Sequence, residues 1–474
     1  MIKKSNYYFY LIQKNSILFH LSSKCYIENR INKVHKWRDT RTLDSKAITK
    51  IQAMILVAVT LIACTAAALT IWLNDYPQQT ETIKIGICTD LDTLPGINNW
   101  NGAVLAADQI NAEGGILGKQ IKLIGADSDA FSLPLDTSKV SLALTKLITS
   151  DNVDFIIGGM GYEDNLVMQD IVSEHKKIFI SVSAPNDALT ERVLNNYEKY
   201  KYFFKVTPPN ASALAAGQLD SIVALREYTG FNKVAVLAQD LGAWDEYIQN
   251  IEKLQDLNGF ELVYNNKFAP GTVDFSSYFA AAEAAGAEIM IPFIAGQEGV
   301  YFIKEWHDRQ SPMVVWGSNL SGAGGDYWEI TEGKCEFETS PLPAVMAGYP
   351  VTNKTLPVRD AYIERWGEVP SYFATGAYDI IRFILPDALE RAGTLETEAV
   401  IKSLEEVDLE ITTSPRFVFL DSHDVMYGPG YDEQYFFQWQ ENGTRVPVYP
   451  RELKEKEGVT YAFPDWPGPW DNIS

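Results

Sequence analysis

The chain has 474 residues, 46% of them hydrophobic and 22% charged, a composition that builds packed cores and excludes a disordered polymer. At roughly 100–200 residues per domain, this length predicts two large lobes and an extension. Residues 1–52 hold 11 Lys and Arg against Glu28, Asp39 and Asp44, a charge of +8 that leaves −30 on the remainder of a chain whose net charge is −22, and a body so acidic repels phosphate backbones and argues against nucleic-acid binding.

In chain order, the basic leader 1–52 shows no globular pattern. The stretch from Ala53 to Leu73 is 21 residues without a charge, close to the roughly 20 that cross a bilayer as a helix. Lys46 and Lys50 precede it while Asp75 and Glu81 follow. The positive-inside rule then predicts a cytoplasmic leader, a transmembrane helix or signal anchor at 53–73, and residues 74–474 outside the cytoplasm. The alternatives are lipidation at Cys64, in a Leu61-Ile-Ala-Cys64 stretch, and a cleaved signal peptide. Cys88 and Cys335 are far apart in sequence, and no disulfide is expected between them. Five sequons begin at Asn210, Asn319, Asn353, Asn442 and Asn472.

After a linker at 74–82, short apolar runs alternate with segments of helical spacing. Strands are predicted at 83–88, 119–126, 153–157 and 178–182, with helices at 99–112, 136–149 and 163–175 between them. After Thr207-Pro-Pro-Asn210 breaks the chain, a second series follows. Its helices are expected at 211–228, 245–257, 275–285 and 298–309, and its strands at 234–237, 260–264, 288–293 and 313–316. The pattern predicts two doubly wound α/β lobes with ligand contacts at the carboxyl ends of the strands. Beyond them a strand is expected at 344–348, helices at 360–366, 372–391 and 396–404, and a strand at 417–420. These segments are expected to complete the first sheet, and the aromatic tail to complete the second. The predicted organisation is 83–206 for the first part of lobe one, 207–340 for the first part of lobe two, 341–417 for the return to lobe one, and 418–474 for completion of lobe two.

The segment Gly102-Ala-Val-Leu-Ala-Ala-Asp-Gln-Ile-Asn-Ala-Glu-Gly-Gly-Ile-Leu-Gly118 resembles a stretch of the type I periplasmic binding proteins, in their branched-chain amino-acid-binding branch. Val153-Asp-Phe-Ile-Ile-Gly-Gly159, Ile180-Ser-Val-Ser-Ala-Pro185, Asp274-Phe-Ser276, Ala377-Tyr-Asp379 and Phe437-Gln-Trp-Gln-Glu-Asn-Gly443 extend the resemblance from residue 82 to about 450. Gly114 and Gly115 read as a helix stop and Gly118 as a turn. The resemblance implies two lobes that close on one solute through a three-strand hinge, with crossings near Val206, between Lys334 and Val345, and near Phe417.

The same resemblance implies a site in the loops after the strands. Met160, Gly161 and Tyr162 would offer backbone N–H groups to an anion at a helix N-terminus, and Ser183 and Ala184 a hydroxyl and backbone groups to a carboxylate. Pro95, Gly96 and Trp100 are lip candidates, Trp244 an aromatic wall from lobe two, and Ala295 and Gly296 the end of a second-lobe strand. Asn319 stands where relatives place an acid for the ammonium, a departure that shifts the expected solute from an amino acid toward an amide; Asp326 is the nearest substitute.

With three histidines in the body and no H-E-x-x-H, G-x-S-x-G or P-loop, no catalytic residue, metal or cofactor is expected. The expected role is the solute-binding protein of an ABC importer, partnered by permease subunits, by a small amino acid or amide, and by the membrane through 53–73. The alternative is the ligand-sensing ectodomain of a membrane receptor.

Overall fold

The computed structural model describes residues 53–65, 81–130, 136–450 and 461–473. The chain divides into two compact units, Met1–Gln79 and Thr80–Ser474. In the first, residues 53–65 are helical, while the leader 1–52 and the remainder of the expected span, 66–73, lie outside the described residues. Among the described residues no helix is long and apolar enough to cross a membrane.

The larger unit opens with β1 (Thr82–Thr89), α1 (Leu94–Ala112), β2 (Gln120–Asp127), α2 (Thr137–Thr149), β3 (Phe155–Gly158), α3 (Tyr162–His175), β4 (Ile178–Ser181), α4 (Asp187–Asn195) and β5 (Phe203–Lys205). Every neighbouring pair is parallel, in the order β2-β1-β3-β4-β5. β3, β4 and β5 are buried at each position, because helices cover both faces of such a sheet. Cys88 pairs with Gly158 and Gly158 with Ser181, so the loops after β1, β3 and β4 emerge side by side. α1 ends where the sequence places its glycines: Gly115 N donates to Ile110 O at 2.9 Å, and Gly114 and Gly115 take φ of 107° and 83°.

The second series is α5 (Ala211–Thr229), β6 (Lys233–Gln239), α6 (Asp245–Asn258), β7 (Glu261–Phe268), α7 (Ser276–Ala284), β8 (Ile289–Ile294), α8 (Glu298–Asp308), β9 (Val314–Val315) and β10 (Ser318–Asn319). Its sheet is also parallel, ordered β10-β8-β6-β7 with β9 alongside β8. Each sheet has its own hydrophobic core, the first centred on Ile85, Ile157 and Phe204, the second on Val236, Ile291 and Trp306.

The later elements depart from expectation. Residues 344–348 are a one-turn helix, Ala344–Ala347, started after Pro343 and stopped by Gly348 at φ 73°; proline fixes a backbone angle suited to a helix start, and glycine accepts the left-handed stop. The helices α9 (Thr355–Trp366), α10 (Tyr372–Asp379), α11 (Leu385–Ala392) and α12 (Thr397–Glu405) return to the first core, α10 and α11 running on through a π turn at Ile380–Ile384. No strand among the described returning residues joins either parallel sheet. β12 (Asp408–Leu409) and β13 (Phe417–Val418) pair only with each other, and β11 (Thr339–Pro341), β14 (Phe436–Gln440) and β15 (Thr444–Tyr449) form an antiparallel sheet that meets the second parallel sheet's edge through one parallel bridge, Trp316 to Thr339. Their side chains complete the cores instead: Phe417, Phe419 and Val425 enter the first, and Phe436, Trp439 and Trp470 the second.

Among the described residues the chain passes between cores three times, between Val206 and Ala211, between Cys335 and Val358, and between Val425 and Phe436. The last passage lies beyond the expected one near Phe417, because Phe419 and Val425 are still anchored in the first core.

Candidate ligand-binding site

Several residues expected at the cleft are committed elsewhere. Pro95, Gly96 and Trp100 belong to α1, which starts at Leu94 with Thr93 as its cap and a proline in its first turn. A side chain at Gly96 would strike Asp90 O at 1.6 Å, and the Trp100 ring lies over Gly125. Trp100 packs against the first core, and none of the three lines the cavity between the lobes.

At the α3 N-terminus two of the three backbone donors expected for a ligand anion already serve Asp164. Its two carboxylate oxygens accept from Met160 N and Gly161 N, each at 2.7 Å. Burial pushes Asp164 up to about 6 despite those bonds. Met160 is buried, with its sulfur accepting from Thr89 Oγ1 at 2.8 Å, and Tyr162 packs against the first core. Ser183 is fully buried; its hydroxyl oxygen accepts from Asn165 Nδ2 at 3.2 Å. Ala184 adopts φ 63°, a strained angle for a residue with a Cβ, and turns the chain into Pro185.

In the second lobe Ala295 N donates to Gln239 Oε1 at 3.0 Å and Gly296 O accepts from Ser321 Oγ at 2.7 Å. Asn319 is buried inside the lobe and not at the cleft wall. Its Nδ2 donates to Glu338 Oε1 at 2.8 Å and reaches Tyr327 Oη at 2.8 Å, while Tyr327 Oη donates to Glu338 Oε2 at 2.8 Å. The acid of this region is therefore Glu338, fully buried and pushed up to about 7 by desolvation. An aspartate at 319 would set two carboxylates against one another, which is a physical reason for the amide. Asn319 so enclosed is also no acceptor for a glycan.

A cavity of about 270 Å³ lies where the two lobes and the three passages meet. Lobe one contributes Pro185 and Tyr372; lobe two contributes Leu214, Trp244, Tyr247, Ser318 and Leu320. The passages contribute Thr207 to Pro209, Pro341 to Ala344, and Asp432 to Tyr435. Its size falls near the lower end of the roughly 300–1,000 Å³ typical of small-molecule sites. Of the twelve expected site residues Trp244 alone lines it, although Pro185, Ser318 and Leu320 adjoin Ala184 and Asn319. Trp244 ends a short turn, Gly242–Trp244, and leans on Phe293 at 5.6 Å between centroids. Its indole N–H and Gln434 Oε1 are both buried without a partner.

The passage behind the cavity is held by a buried ion pair, Lys205 Nζ to Asp424 Oδ1 at 2.8 Å, with Lys205 also donating to Pro208 O at 2.7 Å. Burial, together with the charge of Asp424, pushes Asp432 up to about 7, opposed by Lys205. Sequence reasoning missed Tyr427 and Asp432 to Tyr435. A signal was present, since Tyr427-Gly-Pro-Gly-Tyr-Asp-Glu-Gln-Tyr435 sets acids among tyrosines in a turn-forming stretch. Close packing fixes Tyr427, whose hydroxyl lies 1.8 Å from where a Cβ at Gly217 would be. The Tyr378-Asp379 motif is structural: Tyr378 Oη donates to Gln109 Oε1 at 2.6 Å and Asp379 accepts from Thr412 N at 3.1 Å.

The sequence profile of the family described as periplasmic binding protein matches residues 82–444. The Leu/Ile/Val-binding protein homolog 7 of Brucella abortus is 23% identical over 379 residues, covering 75% of this chain and 88% of that protein. Among solved structures, one from Silicibacter pomeroyi described as a branched-chain amino acid ABC transporter superposes with a TM-score of 0.71 at 18% identity, covering 81% of this chain and 100% of the other. The branched-chain amino acid transporter substrate binding protein LivJ of Streptococcus pneumoniae, solved with isoleucine, has a TM-score of 0.59 at 22% identity, covering 77% and 100%.

Proposed function

Because the chain belongs to the periplasmic binding protein family, a family of binding proteins and not of enzymes, we propose that it is the extracytoplasmic solute receptor of an ABC importer. It takes one small solute of the amino-acid or amide class into the cavity between the lobes and presents it to permease subunits. The observation that carries this reading is the cavity itself, whose wall is drawn from both lobes and all three passages, so that bending the passages would open or close it. The lobe boundaries follow the passages, and residues 53–73 with the basic leader tether the body to the outer face of the membrane.

The test is to purify the tagged full chain from its own membranes in detergent and to follow solute uptake in cells lacking it. Co-purification of permease subunits, with uptake lost and then restored by the parent chain, is the expected result. A chain that brings down no permease and whose loss leaves uptake of every bound solute unchanged refutes the transport role. In the same cells, external protease should digest the body and spare residues 1–52.

A further inference from the structure

Five aromatic side chains wall the cavity: Tyr372 from lobe one, Trp244 and Tyr247 from lobe two, and Tyr427 and Tyr435 from the third passage. Leu214, Leu320 and Leu342 add aliphatic surface. Aromatic rings offer large apolar area, and ring against ring gains affinity beyond the area buried, through edge-to-face and offset contacts. Rings drawn from three separate parts of the chain therefore suit a solute that itself carries a ring. Among the described residues that line the cavity there is no lysine, arginine or histidine, so no cationic side chain awaits a carboxylate. Met160 N and Gly161 N, two of the backbone donors expected for one, serve Asp164. Two wall residues hold instead a neutral donor and a neutral acceptor, Trp244 Nε1 and Gln434 Oε1, both buried without a partner. Such orphans are costly, and a bound group that pairs both recovers the cost. An amide brings a carbonyl for the first and an N–H for the second. A carboxylate only accepts, and would leave Gln434 Oε1 facing another acceptor.

We propose that the solute of this cavity is an uncharged, ring-bearing amide, its ring among the five aromatic side chains, its carbonyl on Trp244 Nε1 and its N–H on Gln434 Oε1. The proposal deepens the importer reading and rests on it. Of the amino acid and the amide it selects the amide, and it adds the ring. It reaches the amide by a route other than Asn319, which turns inward to Glu338 and does not line the cavity.

Calorimetric titration of the full chain with benzamide, its saturated counterpart cyclohexanecarboxamide, its charged counterpart benzoate, and isoleucine tests this. Benzamide is expected to bind roughly two- to twelvefold more tightly than cyclohexanecarboxamide, the worth of a ring-to-ring contact. It should exceed benzoate by about fivefold or more, the cost of an acceptor left unpaired. Trp244→Phe keeps a ring and removes the indole donor, and should weaken benzamide by roughly two- to twelvefold. Gln434→Met removes the acceptor and should narrow the ratio of benzamide to benzoate affinity. Loosened packing weakens both alike and leaves that ratio unchanged, and far-ultraviolet circular dichroism confirms that each variant folds. Benzoate binding as tightly as benzamide overturns the proposal, as does cyclohexanecarboxamide or isoleucine doing so. An unchanged ratio in folded Gln434→Met, or a folded parent chain that gives neither heat nor thermal stabilisation with benzamide, overturns it too. None of these results touches permease co-purification, so the importer reading stands or falls separately.

Discussion

Replacing Glu338 by glutamine removes the charge of the buried carboxylate while keeping its shape against Asn319 and Tyr327. Glu338 is pushed from 4.5 up to about 7 in the folded chain, and each pKa unit is worth about 1.36 kcal/mol. The whole shift therefore amounts to about 3 kcal/mol. Below pH 4.5 the carboxyl is neutral in both states and its packing is fully favourable. Between 4.5 and 7 the unfolded chain releases the proton and the folded chain keeps it, so stability falls as pH rises through the folded value. Above that the loss is constant. About 2.5 kcal/mol of it falls between pH 5 and pH 8. Urea unfolding of the parent and Glu338→Gln at both pH values measures this. The variant should gain about 2.5 kcal/mol on the parent from pH 5 to pH 8. Asp379 and Asp164, whose pKa values are also raised, are common to both chains and cancel, as does any constant cost of the new amide. A variant-to-parent difference that is the same at both pH values would show that the hydrogen bonds from Asn319 and Tyr327 cancel the effect of burial, and the upward shift of Glu338 would fail.

Two further substitutions probe the frame around the cavity. Gly102→Ala would set a Cβ 2.0 Å from Ala374 O, forcing α1 and α10 apart. Overpacking of this kind costs about 1–3 kcal/mol, and a midpoint in urea unchanged from the parent would mean the helices separate freely. Lys205→Met strands Asp424 in the buried passage and should cost about 3–5 kcal/mol. Lys205→Met with Asp424→Asn should recover most of that, and a double variant as unstable as the single one would show that the pair is not coupled.

The two parallel sheets were legible in the sequence because each strand is a short apolar run between segments of helical period, a signal that arises within one stretch of chain. Local chemistry likewise marked the stops at Gly114 and Gly115 and the break at Thr207 to Asn210, and the resemblance flagged Asp274-Phe-Ser276, where Asp274 Oδ1 accepts from Ser276 N at 2.9 Å. The start of α1 was read late because Pro95 and Gly96 look like loop residues, whereas a proline in the first turn and a threonine cap begin a helix. The family resemblance supplied candidate loops, but it did not reveal that Asp164 fills its own helix N-terminus or that Asn319 turns inward to Glu338.

The sequence by itself determined the strands and helices of the two parallel sheets and that they make two α/β lobes, since burial period and capping act over a few residues, whereas the apolar run 344–348 became a helical turn. Tertiary structure alone decided where the last crossing between the lobes falls and which side chains meet at the crossings. Glu338 reaches Asn319 from 19 positions away, and Lys205 meets Asp424 across more than 200 residues. Asp432 to Tyr435 join Trp244 and Tyr372 in one wall. Such meetings depend on how whole elements pack and on which buried charges find partners, and no local pattern in the chain records them.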